Sequence, residues 1–400
     1  MNDRITYNQI DLYRALAVLW IVIAHISFSF NADYRTGVNW IIYLLQNNLA
    51  FPVAIFFLSS GYLITSTALK YDKFEIGQFF QKKVLRIIPG YLFVILLAIA
   101  IYAIIPQYSV TVKRILPIPD TYEISGVYAN GILLKNTNNE DIFLKNESLI
   151  KNAEEETSVY SETMINSHNS KGSYLPYLSF TQNIFPENRI PSLYHLWFIS
   201  VLLHCYILLG VILYLSFKSG QKRKRSIYIL LFSVTIFMVS HLVSETSMVT
   251  YETFFFGATL AAAAGLIRKP ENKRFYAVLF VICFITGAGL IALLIYFTPD
   301  KAAFFVPLNY MAASFIIFNT FPPRINQALT IPLKPLFWIG RHSYGIYLIH
   351  YPLVSVYVIG RNYIKLNSIT HILVFLVLSI IIGASFDLLV NKIYSKLSKR

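Results

Sequence analysis

Charge is scarce in this chain. Only 14% of its 400 residues are Asp, Glu, Lys or Arg, where a soluble domain carries about a quarter. With 56% of residues hydrophobic, that shortage excludes an ordinary water-soluble fold. Cysteine is almost lacking. Cys205 and Cys283 both lie inside apolar runs, which excludes a disulfide framework; neither has metal-ligand spacing, so no metal is expected. No internal repeat recurs along the chain, which withholds the usual sequence sign of a repeat-built transporter. Acidic residues are also few, 20 against 34 Lys and Arg, for a net charge of +14. Such a balance can signal nucleic acid, but the placement of the charges argues against that partner. Segment 107–193 is net acidic, and the basic excess is confined to short connections between apolar runs.

What the chain has instead is long apolar stretches from end to end. They predict an all-α, polytopic transmembrane helical bundle of about ten spans, at 12–30, 50–69, 87–105, 194–215, 227–244, 250–267, 275–297, 303–320, 336–358 and 368–390. The first is too long for the core of a signal peptide, and no Ala-x-Ala-like site follows it, so it reads as an uncleaved anchor. Connections on one side (70–86, 218–225, 268–274 and 392–400) hold 18 Lys and Arg; the opposite short connections hold four. The positive-inside rule then sets both termini in the cytoplasm. Three units follow: residues 1–106 with three spans, an extracytoplasmic loop or irregular subdomain at 107–193, and seven further spans in 194–400. Trp40 and Tyr43 in "GVNWIIYLLQ" suit a short interfacial helix.

Polar groups inside such a bundle need a partner or a purpose. In "RALAVLWIVIAH" Arg14 and His25 stand eleven residues apart. Helical geometry puts them within about 20° of one face and roughly 16 Å apart along the axis. Asp11 is one turn from Arg14 and close enough to pair with it. His350 and His25 lie equally far into their spans, in the outer half, and His204 enters from the opposite surface to a comparable depth. Three imidazoles at one level suggest a polar chamber; each can equally satisfy a hydrogen bond of its own. Lys82, Lys83 and Arg86 gather where the third span begins. They serve as topogenic anchors or as a phosphate grip. Ser59, Ser60 and Gly61 allow close helix packing or the passage of a thin ligand. Asp387 and Glu252 each require a cation or solvent.

These stretches together resemble acyltransferase family 3, integral membrane O-acyltransferases that modify sugars and cell-surface polysaccharides. "IDLYRALAVLWIVIAH" is similar to its opening signature, with Arg14 and His25 in the arginine and histidine places. "FFLSSGYLI", "KKVLRIIPGY", "HLWFISVLLHCY" and "IGRHSYGIYLIHYP" follow in the family's order. Two departures stand out: Lys83 replaces a usual arginine, and Leu202 and Leu203 stand where many relatives have glutamates. A fused esterase-like domain is absent from these 400 residues, so a single-component enzyme is expected.

The resemblance implies acetyl-CoA as cytoplasmic acyl donor, no metal, and an acceptor hydroxyl on a cell-envelope glycan or lipid-linked glycan: O-antigen, capsule or exopolysaccharide. It also implies a bacterial inner membrane as the location. Arg14, Lys83 and Arg86 are then the candidates for the donor's phosphates. His25 is the candidate catalytic residue, as general base or as an acetylated nucleophile. Asp11, Ser60, Gly61, Trp197, Tyr344 and His350 are candidates for lining the chamber. Tyr160, Tyr174 and Tyr177 in the outer segment are placed to stack on sugars or to cover the membrane surface. A transporter or flippase for a glycan or acyl lipid is the competing class, because hydropathy and charge suit it equally.

Overall fold

Long apolar runs wind into helices even where Pro89, Pro332, Pro335 and Pro352 fall inside them, and most of the architecture follows from that. The computed structural model describes residues 8–27, 49–104, 107–116, 122–128, 131–136, 141–145, 158–167, 174–184, 190–242, 248–266, 323–360 and 366–397, with isolated positions between them. The helices are α1 (Asn8–Ser27), α2 (Ala50–Ala68), α3 (Ile76–Ile104), the single turn α4 (Leu175–Leu178), α5 (Trp197–Phe217), α6 (Lys222–Leu242), α7 (Met248–Leu266), α8 (Pro323–Arg341), α9 (Ser343–Gly360) and α10 (Ser368–Leu397). A 3-10 turn, Pro191–Leu196, leads into α5. Among the described residues, five helical stretches are long and apolar enough to cross a membrane: Ile10–Ser27, Phe51–Ala68, Ile76–Ile101, Leu193–Phe217 and Ser368–Lys396. Spans expected at 275–297 and 303–320 fall outside the described residues apart from isolated positions.

Two expectations about elements are corrected. The stretch 336–358, read as one span, is two helices: α8 ends at Arg341, and α9 starts at Ser343. At the junction His342 Nδ1 meets Asp387 Oδ2 of α10 at 2.8 Å, and Asn391 also donates to that oxygen. Asp387 thereby gains the partner it needs, and the polar "RHS" triplet marks the junction of the two helices. The third helix begins at Ile76, well before residue 87. Its 29 residues give about 44 Å of helix against a hydrocarbon core of about 30 Å. The turns bearing Lys82, Lys83 and Arg86 thus fit at a boundary.

Segment 107–193, expected to be a loop or irregular within an all-α protein, carries five strands. β1 (Gln107–Leu116) pairs antiparallel with β5 (Ser158–Ser167), and β2 (Tyr122–Tyr128), β3 (Gly131–Asn136) and β4 (Asp141–Lys145) form a meander. The polar runs "NTNNED" and "NAEEETS", which prompted the loop reading, fall at and between strand ends. Alternation in "YSVTVK" is the strand signal they obscured.

Close helix crossings hold the bundle. At the α2–α7 crossing Gly61 lies against the Phe254 carbonyl and Gly257 against the Leu58 carbonyl. Gly340 of α8 fits against the Asp11 backbone of α1, and Gly383 of α10 against Ile346 of α9. Small residues allow backbones to approach this closely where lipid supplies no hydrophobic drive. A second set of polar bonds ties residues 174–184 and 190–196 to each other and to α3. Tyr91 donates to the Tyr177 carbonyl, and Gln182 donates to Tyr91 Oη and the Leu196 carbonyl. The Ile190 amide donates to Tyr177 Oη.

Candidate functional site

The C-terminal end of α1, the middle of α9 and the 3-10 turn before α5 bring three imidazoles together. His25 Nδ1 lies 3.0 Å from His350 Nε2, with the two rings stacked 5.1 Å apart. His195 stands edge-on to His350 at 5.5 Å and stacks on Tyr351 at 5.0 Å. Tyr351 also meets His25 edge-on at 5.2 Å. Tyr347 closes the cluster by donating from Oη to the His195 carbonyl at 2.6 Å.

The bonding partners fix the tautomers. His350 Nδ1 lies 2.5 Å from the Tyr347 carbonyl. A carbonyl only accepts, so this nitrogen carries the hydrogen. In the neutral ring His350 Nε2 is then an acceptor, and His25 must donate to it from Nδ1. That leaves His25 Nε2 with its lone pair and with no hydrogen bond among the described residues. The same reasoning applies to His195. Its Nε2 donates to the Leu348 carbonyl at 3.1 Å, and its Nδ1 is a buried acceptor without a partner. The cluster thus holds two unprotonated imidazole nitrogens, His25 Nε2 and His195 Nδ1.

His195 is the functional-looking residue that sequence reasoning missed; His204 is the one it chose instead. His204 is turned away and pairs with Tyr251 Oη at 2.9 Å. The two histidines are nine residues apart, about two and a half helical turns, so one face cannot present both. Tyr177 is corrected as well. It is 0% exposed and tied to Ile190, so its ring is not available to a sugar. Side chains at Tyr160 lie outside the described residues.

Further along α1, Arg14 lies over the Phe56 ring at 5.7 Å, and its buried Nε has no acceptor. Lys83 Nζ sits 5.3 Å from the Tyr206 ring and 5.6 Å from that of Phe79. Arg86 is within electrostatic reach of both Arg14 and Lys83. None of these three cations makes an ion pair or hydrogen bond among the described residues. Asp11, expected to pair with Arg14, is not within ion-pair distance; Arg14 and Arg341 both act on it at longer range. Three like charges gathered with carboxylates only at longer range, Asp11 and Asp387 for Arg14, can seat an anion.

The remaining candidates sit on α2, α5 and α9. Tyr344 donates to the Ile87 carbonyl of α3 at 2.8 Å, next to the basic turns, and Ser60 lies beside the Tyr206 hydroxyl. Trp197 is half-buried at the start of α5, against Phe198. Gly61 is a helix-crossing position, as described above.

A family profile described as an acyltransferase domain matches residues 7–388. Curated relatives include the O-acetyltransferase OatA of Staphylococcus aureus strain NCTC 8325 / PS 47 and that of strain COL. Each is 23% identical over 379 residues, covering 88% of this chain and 52% of the relative. The chain thus spans about half the length of the curated relatives it matches. No solved structure matches it.

Proposed function

Since the chain belongs to the acyltransferase family whose profile covers residues 7–388, we propose that it is an O-acetyltransferase of the bacterial inner membrane. It moves an acetyl group from cytoplasmic acetyl-CoA to a hydroxyl of a cell-envelope glycan. The observation that carries this reading is the hydrogen-bond order Tyr347 carbonyl–His350–His25, which leaves a lone pair on His25 Nε2, with a second unprotonated nitrogen, His195 Nδ1, in the same cluster.

Chemically the arrangement suits acyl transfer. His25 Nε2 takes the proton of the acceptor hydroxyl as its oxygen attacks the thioester carbonyl carbon. The carbon–sulfur bond breaks, and the thiolate leaving group receives that proton from the His25 imidazolium. The products are an O-acetyl ester and a free thiol, so atoms and charge balance. While His25 is protonated, its Nδ1–H bond to His350 becomes charge-assisted and strengthens. An imidazole suits this work because its ordinary titration lies near neutrality.

Arg14, Lys83 and Arg86 supply the donor's anchorage in this reading. Their unpaired charges fit the phosphates of a CoA thioester. The unbroken helix from Arg14 to His25 separates grip from base by roughly 16 Å, a length suited to a slender pantetheine arm. Because α1 runs through without a break, the spacing does not depend on a hinge.

His25→Ala should abolish transfer, measured as acetyl-CoA consumed and free CoA released in the presence of glycan acceptor, while the protein still expresses and inserts. Full activity in that variant would reject the assignment.

A further inference from the structure

The basic run "KSGQKRKR" plays no part in acetyl transfer as derived above, yet it shapes a cavity of about 660 Å³. This volume is in the range of small-molecule sites. Its walls include Leu69 at the end of α2, Leu266 at the end of α7, and Lys222, Arg223, Arg225 and Ser226 in the first turn of α6. The first backbone amides of a helix have no acceptor within it, and its positive dipole end favours anions. A helix start alone is not a site, but here a buried side chain adds to it. Arg225 is only 6% exposed. It spends its two terminal nitrogens on the Tyr71 and Gly220 carbonyls and stacks on Phe217 at 4.4 Å. Its Nε is buried without a partner. A guanidinium so fixed keeps its positive charge in the cavity wall with Lys222 and Arg223, and such a wall favours a ligand of negative charge.

Lys222 is partly engaged already, 3.0 Å from Asp72, and its bond holds that carboxyl below the usual carboxylate range. Arg223 makes no ion pair or hydrogen bond among the described residues. Directly above it on α6, at four-residue steps, Ile227 and Leu231 are 37% and 58% exposed. Polar mouth and apolar stripe lie on one face of one helix. A free phosphate would use the first and leave the second bare, whereas a phospholipid uses both. We propose that this cavity binds the phosphate of an anionic membrane phospholipid, whose chains lie along Ile227 and Leu231. The proposal does not depend on the acetyltransferase reading.

The test is thermal unfolding of the purified full chain in detergent, with phosphatidylglycerol, phosphatidylcholine, inorganic phosphate or CoA added. Phosphatidylglycerol should raise the Tm by several degrees and phosphatidylcholine should not. Arg223→Gln should remove most of that rise and leave the lipid-free Tm unchanged. Lys224→Gln, exposed but outside the cavity wall, should keep it. Arg225 also holds two loop carbonyls, so Arg225→Gln would report folding as well as binding; Arg223→Gln avoids this. Equal shifts from both lipids, equal losses in Arg223→Gln and Lys224→Gln, or a shift from phosphate, or from CoA and lost in Arg223→Gln, in place of lipid would each overturn the proposal.

Discussion

Replacing His350 with alanine removes the acceptor for His25 Nδ1–H and frees the His25 ring to adopt its other tautomer. His350→Gln keeps an acceptor oxygen at that place. If His350 acts by holding His25 in its basic form, kcat in His350→Ala should fall by roughly 10²-fold or more, the scale of general-base effects. KM for acetyl-CoA should stay near its wild-type value, and glutamine should restore part of the lost rate. A purely structural histidine would give no such rescue. Arg14→Ala should do the reverse, raising KM for acetyl-CoA about tenfold or more with a smaller change in kcat, as expected for a lost charge-assisted contact to phosphate. At this scale much of the candidate site was legible in the sequence. Counting rise along the expected spans put His25 and His350 at one depth, and they are hydrogen-bonded, although the count for His350 began from a single span 336–358 and α9 starts only at Ser343. His195 was hidden because it falls in a 3-10 turn just before the helix, where a hydropathy reading sees only a boundary. The tautomer order was also beyond reach, since it depends on which carbonyl faces each nitrogen.

The helix crossings make the next scale testable through glycine alone. At Gly61 a methyl group would run into the Phe254 carbonyl, and at Gly257 into the Leu58 carbonyl. Backbone cannot yield as a flexible side chain can, so Gly61→Ala and Gly257→Ala should each destabilise by about 1–3 kcal/mol, the usual cost of overpacking. Gly77, also helical, has nothing within 4 Å of the added methyl. Gly77→Ala should stabilise by roughly 0.5–1 kcal/mol through helix propensity. Denaturation in detergent, with helical circular dichroism as readout, compares the three; a drop in Gly77→Ala as large as that in Gly61→Ala would reject this account of the crossings. Helices themselves were legible because unbroken apolar length has few other outcomes in lipid. The split at His342 was not, since two helices separated by one residue preserve the average hydropathy of one span. The strands of 107–167 were concealed by composition. Asn and Glu at their ends weighed more than the alternation within them, a period-2 signal that is weak in short runs.

For the molecule as a whole, charge sets orientation in the membrane. By the positive-inside rule we assign the basic first turn of α6 and the basic turns of α3 to the cytoplasmic side, and the acidic, strand-bearing 107–167 segment to the other. Hydropathy marked the bundle but is silent on which way it faces, because an inverted bundle buries the same surface. The charge asymmetry of the short connections is the quantity that breaks this symmetry. Cysteine labelling can check the result with little background, as Cys205 is buried and Cys283 lies in an apolar run where serine can replace it. Asn139→Cys, between β3 and β4, should react with a membrane-impermeant maleimide in cells whose inner membrane is intact. Ser219→Cys, between α5 and α6, should react only after that membrane is opened. The reverse pattern would place Arg14, Lys83 and Arg86 on the side away from cytoplasmic acetyl-CoA. The donor path along α1 would then fail even with His25 still essential for activity.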